Sequence, residues 1–223
     1  MAEQRLHLIW DFDGTLYDAY PAMTADLLAV LASFGVRGEE AEVRRLIKHT
    51  VFYGVSTLAA SNHLDTQALM AAFRERHRAH TRLPLMPHAA QCLARTARLG
   101  CCHYLFTHRD RGAVAMLRAD GLDRYFADYV TREDGFAAKP SPEAVLHLMR
   151  THGFAAGDAY MVGDRDIDIR SGQGAGAQGI LLDPDEFYPD LTVEHRVQSL
   201  REIPRLMKGR LRRWPALFSK ARR

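Results

Sequence analysis

The stretch Leu6-His7-Leu8-Ile9-Trp10-Asp11-Phe12-Asp13-Gly14-Thr15-Leu16 decides how the rest of the chain is read. It opens as a short apolar run that ends in acids, over Leu6 to Phe12. That is the pattern of a parallel strand buried on both faces. Asp13-Gly14-Thr15 then breaks the strand, and Gly14 lets the chain turn sharply away. From residue 18 to residue 82 no strand pattern follows. Helical segments are predicted instead over Pro21–Ser33 (capped by Asp18 and stopped by Gly35), Glu39–His49, Tyr53–Ser61 and Thr66–His80. Beyond Pro87 the rhythm changes. A helix to Leu99 precedes a strand over Cys101–Thr107. A helix capped by Asp110 runs to Asp120, and a short strand covers Tyr129–Thr131. The helix Pro142–His152 is followed by a strand at Ala159–Val162, a helix at Ile167–Gly174 and a last strand at Gly179–Leu182. This alternation predicts an α/β fold, a parallel sheet with helices on both faces. The all-helical block interrupts it once, directly after the first strand, and reads as an inserted lobe. The expected division is a core of residues 1–17 and 83–207, an insertion of 18–82 and a basic tail of 208–223.

Composition supports a folded chain. The 223 residues are 47% hydrophobic and 26% charged, which excludes disorder, collagen and coiled coil. The net charge of +3 is unevenly placed, because residues 208–223 carry seven basic side chains and no acid. The remaining body is mildly acidic, so specific nucleic-acid binding by the whole chain is not expected. No apolar run approaches the ~20 residues of a membrane span. Residues 1–10 lack the basic start and long apolar centre of a secretory signal. Cys92, Cys101 and Cys102 make neither a disulfide framework nor a zinc knuckle. A cytoplasmic setting follows as the expectation, and the oligomeric state is left open.

The working groups of an open parallel sheet gather beyond the carboxyl ends of its strands. Those ends carry Asp11 and Asp13, then Thr107 and His108, then Lys139 on a loop, then Asp164 and Asp168. Converging carboxylates need a counter-charge. Mg²⁺ suits an oxygen-only set and leaves room for water and a phosphate. Asp11 and Asp164 would ligate it through carboxylates, and Asp13 through its backbone carbonyl. A carboxylate on Asp11 can attack phosphorus and form an aspartyl phosphate. Asp13, two residues on and so on the same side if the strand ends near Phe12, would protonate the leaving alkoxide and later activate water. Thr107 would donate to a phosphoryl oxygen, and Lys139 would neutralise charge on Asp11 and on the transferring group. Asp168, one helical turn after Asp164, would orient the lysine or the metal's waters.

With these residues in order, the sequence resembles the haloacid dehalogenase-like hydrolases. Asp11-Phe12-Asp13-Gly14-Thr15-Leu16 matches the family's D-x-D-G-T-L signature, Thr107 its second motif, Lys139-Pro140 its third and Gly163-Asp164-x-x-x-Asp168 its fourth. The likeness spans about residues 6–182, and the helical insertion resembles the cap of the phosphoglycolate-phosphatase-like branch. The resemblance implies a Rossmann-like core, a mobile α-helical cap, Mg²⁺ and hydrolysis of a small phosphomonoester such as phosphoglycolate or a phosphosugar. Two departures, Ala19 in place of a frequent Ser and His108 in place of a frequent Asn, lie near the substrate and bear on substrate identity more than on reaction type. Asp13 argues against a dehalogenase and against a phosphonate-cleaving relative, both of which lack the second acid. A phosphosugar mutase keeps both acids and remains an alternative, as does a catalytically weak binding protein that uses the basic tail.

Other features have plainer readings. Gly174-x-Gly176-x-x-Gly179 has the spacing of a dinucleotide fingerprint, but follows a helix and precedes a strand, the reverse of what that fingerprint needs. His77 and His80 sit among Arg74, Arg76, Arg78 and Arg82, so a solvated helix face is expected there rather than a metal site.

Overall fold

The computed structural model describes residues 5–218, with side chains to residue 211. It contains a six-stranded, wholly parallel sheet in the order β3-β2-β1-β4-β5-β6. The strands are β1 (His7–Trp10), β2 (Cys102–Phe106), β3 (Phe126–Val130), β4 (Ala159–Gly163), β5 (Gln178–Leu182) and β6 (His195–Val197). β1 lies between β2 and β4, with Ile9 opposite Tyr104 on one side and Met161 on the other. Leu8, Ile9 and Trp10 are fully buried, as are Met161 and Val162 of β4. Strands covered on both faces need apolar side chains at consecutive positions, which explains the unbroken apolar runs.

From β1 the chain first fills β2 and β3 on one side, then crosses to β4, β5 and β6 on the other. The reversal of strand order falls at the carboxyl ends of β1 and β4, the switch point where open α/β sheets open a crevice. The helices of this unit are α5 (Ala89–Arg98), α6 (Gly112–Ala119), α7 (Glu143–His152), α8 (Asp166–Gly174) and α9 (Ile203–Phe218). Ala144, Val145 and Leu148 of α7 pack into a cluster with Ile9, Phe106 and Met161. A Cβ on Gly179 would lie 2.8 Å from Ile169, so this glycine permits close packing of β5 on α8.

The chain divides into two compact units, one holding residues up to Leu16 together with those from Leu85 onward, the other Tyr17–Pro84. The second unit is helical: α1 (Tyr20–Ser33), α2 (Glu40–His49), α3 (Val51–Ser61) and α4 (Thr66–Arg78). Leu27, Leu31, Val43, Ile47, Val55, Leu69 and Phe73 are among its buried side chains. Thr50 caps α3 by accepting from the Tyr53 N–H, and Asp65 caps α4 by accepting from the Ala68 N–H.

Three expectations are corrected. Gly179–Leu182 is not the last strand. β6 follows it, and its three residues, His-Arg-Val, are too short and too polar to show a strand pattern. Asp18 does not cap α1. The helix begins earlier, from Ala19 with no side-chain cap, and the Asp18 N–H donates to the Pro84 carbonyl at 2.9 Å. The basic segment does not start as a separate piece at residue 208. Lys208 and Arg210 continue α9, and Arg210 Nε donates to the Tyr160 hydroxyl at 2.7 Å. The tail's side chains from Arg212 onward lie outside the described residues.

Candidate active site

β1 ends at Trp10, and the next residue, Asp11, is tied in by its N–H to the Val162 carbonyl at 2.8 Å. This places Asp11 at the switch point, almost wholly buried. Its Oδ1 lies 2.5 Å from the Lys139 ammonium, and its Oδ2, also buried, has no hydrogen-bond partner. Lys139 Nζ also lies 2.8 Å from Asp168 Oδ1, so one lysine bridges two carboxylates. The ammonium additionally sits 4.6 Å from the centre of the Phe106 ring.

Asp164 follows β4 as Asp11 follows β1, and the Thr15 hydroxyl faces its Oδ1 at 3.4 Å. Asp168 lies in the first turn of α8, where its Oδ2 accepts from the Arg165 N–H at 3.1 Å. The approach requires glycine at position 163: a Cβ there would fall 2.2 Å from the Asp168 Cβ. Asp11, Asp164 and Asp168 each offer a carboxylate oxygen within 4.8 Å of the others.

The electrostatics follow from this crowding. Burial pushes the Asp11 carboxyl up to about 7, the Asp168 charge adds to that push, and Lys139 and Arg165 oppose it. Burial also works against ionisation of Asp168, yet Lys139 and Arg165 hold its carboxyl below the usual range. Lys139 does not offset both carboxylates at once. The excess negative charge and the Asp11 oxygen that makes no hydrogen bond fit a hard divalent cation with oxygen ligands.

Thr107 follows β2; its hydroxyl oxygen accepts from the Arg109 N–H at 3.1 Å, leaving its own proton to donate. His108 Nε2 accepts the Lys139 backbone N–H at 2.9 Å. Burial, with Lys139 and Arg165 nearby, pushes this imidazole down to about 3, so it is neutral with its proton on Nδ1. Asp13 is not among the three clustered carboxylates. Its Oδ1 accepts from Arg109 Nη1 at 2.8 Å, and the guanidinium lies over the Phe12 ring at 5.5 Å.

Asp11, Lys139, Asp164 and Asp168 are thus brought together, with Thr107 and His108 at the end of the neighbouring strand. Thr15, Arg109 and Arg165 are part of the same site and were not assigned roles from the sequence. Arg109 lies in the bend beyond β2, where no strand or helix periodicity marks it. Arg165 adjoins Asp164, and its Nη2 lies 3.8 Å from Asp11 Oδ2.

Buried carboxylates held at a switch point against too little positive charge mark the candidate active site of an α/β protein. The comparisons make this specific. Residues 8–182 match the family model of the haloacid dehalogenase-like hydrolases, and the chain belongs to that family, in its phosphoglycolate-phosphatase-like branch. It is a hydrolase with the Rossmann-like α/β core of that family. It is 29% identical over 181 residues to phosphoglycolate phosphatase 1 of Pseudomonas aeruginosa, a match covering 77% of this chain and 66% of that protein. It is 27% identical to the pyrophosphatase PpaX of Oceanobacillus iheyensis, over 84% of this chain and 91% of that one. A solved structure described as a predicted phosphoglycolate phosphatase from Haemophilus somnus superposes with a TM-score of 0.78, over 93% of this chain and 99% of that one. At 17% identity, that likeness is one of fold.

Proposed function

We propose that this chain is a Mg²⁺-dependent phosphatase that hydrolyses a small phosphomonoester through an aspartyl phosphate on Asp11. The observation that carries the reading is the state of Asp11: one oxygen bound by Lys139, the other buried with no hydrogen bond, only the Arg165 guanidinium at 3.8 Å, beside two further carboxylates. Asp11 and Asp164 would hold the ion through carboxylates. The Asp13 side chain is engaged with Arg109, which leaves its backbone carbonyl as the ligand from that residue. The ion supplies charge neutralisation at the acids and at the transferring phosphoryl group.

In the first half-reaction an Asp11 oxygen bonds to phosphorus as the bond from phosphorus to the alkoxide breaks, and Asp13 gives the alkoxide its proton. In the second, Asp13 takes a proton from water, the water oxygen bonds to phosphorus, and the acyl phosphate opens to regenerate Asp11. The Thr107 hydroxyl donates to a phosphoryl oxygen, and Lys139 neutralises charge on the nucleophile and on the group it receives. Asp168 holds Lys139 in place. His108, neutral and with Nδ1 as a donor, contributes to substrate binding. The helical unit is inserted in the chain directly behind Asp13, and we assign residues 18–82 the role of a cap that selects a small substrate and excludes water. A cytoplasmic setting belongs to the same reading. No helix among the described residues is long and apolar enough to cross a membrane.

The test is a panel of phosphoglycolate, phosphosugars and pyrophosphate assayed for phosphate release with Mg²⁺ and with EDTA. Release that requires Mg²⁺, and that is abolished in a folded Asp11→Asn variant, is expected. An isomerised phosphosugar without free phosphate would replace the reading with a mutase. No turnover of any member would replace it with a binding role.

A further inference from the structure

The helical unit holds a second convergence of metal-ligating side chains, unlike the first in chemistry. Asp26 stands on α1 with its side chain 6% exposed. Its Oδ2 lies 2.8 Å from Nδ1 of His77 and 2.9 Å from Nε2 of His80. Its Oδ1 accepts from Arg76 Nε at 3.1 Å. His77 is 12% exposed and stacks on Phe73 with ring centres 5.4 Å apart. The sequence reading of a solvated face at His77 and His80 is therefore corrected. Both imidazoles point at a buried carboxylate contributed by a helix some fifty residues earlier.

We propose that Asp26, His77 and His80 form a binding site for a divalent transition ion of the zinc class, separate from the oxygen-only acids at Asp11, Asp164 and Asp168. The three ligand atoms already lie within 4.8 Å of one another. His77 lies in the last turn of α4, and His80, just past the helix end, is held near it by its N–H to the His77 carbonyl at 3.2 Å. That difference in backbone setting lets one ring present Nδ1 and the other Nε2 to the same point. Two imidazole nitrogens and one carboxylate oxygen suit Zn²⁺ and its neighbours, whereas Mg²⁺ keeps to oxygen ligands.

The geometry needs little change to accept the ion. Zinc bonds of about 2.0–2.1 Å at tetrahedral angles put neighbouring ligand atoms about 3.3 Å apart. The oxygen–nitrogen distances of 2.8 and 2.9 Å must then open by about half an ångström, within the reach of side-chain torsions. Without the ion, these contacts are hydrogen bonds from ring N–H groups to the carboxylate. Arg76 stays on the other carboxylate oxygen, the place of an outer partner that orients a ligating carboxylate. His80, 35% exposed, leaves a route for the ion and for a water as fourth ligand. A bound ion would tie the first helix of the unit to its last.

The experiment uses the full chain, stripped with a chelator, freed of it and returned to excess Mg²⁺. Zn²⁺ is then titrated against a chromophoric chelator. One ion per chain in the micromolar range or tighter is expected, with Tm raised by zinc. His77→Gln, His80→Gln and Asp26→Asn should each weaken binding by about tenfold or more, and Asp164→Asn should leave it unchanged. If Asp26→Asn does not fold, the partly exposed His80 decides. Co²⁺ in place of Zn²⁺ should give the strong visible bands of a four-coordinate site, lost in His80→Gln. Absence of binding in this range, binding indifferent to both histidine variants, or binding removed by Asp164→Asn alone would each overturn the proposal.

Discussion

Arg109 Nη1 donates to Asp13 Oδ1 at 2.8 Å, so the proposed acid–base residue is held by a guanidinium from the neighbouring strand end. The arginine is itself fixed, because its N–H bonds to the Thr107 hydroxyl and its carbonyl accepts from the Arg132 N–H. Arg109 is therefore a positioning residue for Asp13. Arg109→Gln should lower kcat about tenfold or more on an alkyl phosphate, whose alkoxide must be protonated as it leaves. The effect should be much smaller on p-nitrophenyl phosphate, and KM should change less than kcat. Equal losses on both substrates would show that Arg109 acts on folding or binding instead. Arg109→Lys should rescue only in part, since an ammonium lacks the planar fork.

Lys139 is the only cation within 3 Å of either Asp11 or Asp168 among the described ion pairs. Lys139→Met strands two buried carboxylates and should lower stability by about 3–5 kcal/mol in urea unfolding. Mg²⁺ should reduce that loss, because it neutralises the same groups. An unchanged urea midpoint would mean that the acids relax to solvent without the lysine.

Gly163→Ala tests how closely Asp168 must approach β4. The added Cβ would meet the Asp168 Cβ at 2.2 Å and its Cγ at 2.6 Å, both in a buried setting. Asp168 would have to move, and Lys139 with it. A stability loss of about 1–3 kcal/mol together with a sharp fall in kcat is expected. Full activity in the variant would show that the lysine keeps its place without Asp168.

His103 on β2 is buried, accepts from Trp10 Nε1 on Nδ1 at 2.9 Å, and is pushed down to about 3 by burial. Unfolded, it would titrate near 6.5. Between these values the unfolded chain binds one proton more than the native one, so stability falls as pH falls from about 6.5 toward 3. The slope from this residue is at most about 1.4 kcal/mol per pH unit. His103→Gln keeps an acceptor for Trp10 and should flatten the slope by nearly one proton, whatever it does to stability at pH 7. Denaturant titrations from pH 7 to 4.5 measure this, and an unchanged slope would mean that His103 is already charged in the fold.

The sequence by itself determined the parallel α/β core, the family and the set of acids at the strand ends. It could do so because burial on both faces forces unbroken apolar runs, and because parallel strands deliver their carboxyl ends to one edge of the sheet. Position 11 after β1 and position 164 after β4 were therefore bound to lie along the same edge of the sheet, and the strand order then made them neighbours. What only the tertiary structure decided is which charge meets which. Arg109 reaches Asp13 across 96 positions, and His77 reaches Asp26 across 51. Neither pair leaves a periodic trace, since a single long-range contact depends on how two elements pack rather than on the pattern within either. The same holds for β6, where three residues count as a strand only because β5 offers an open edge to pair with.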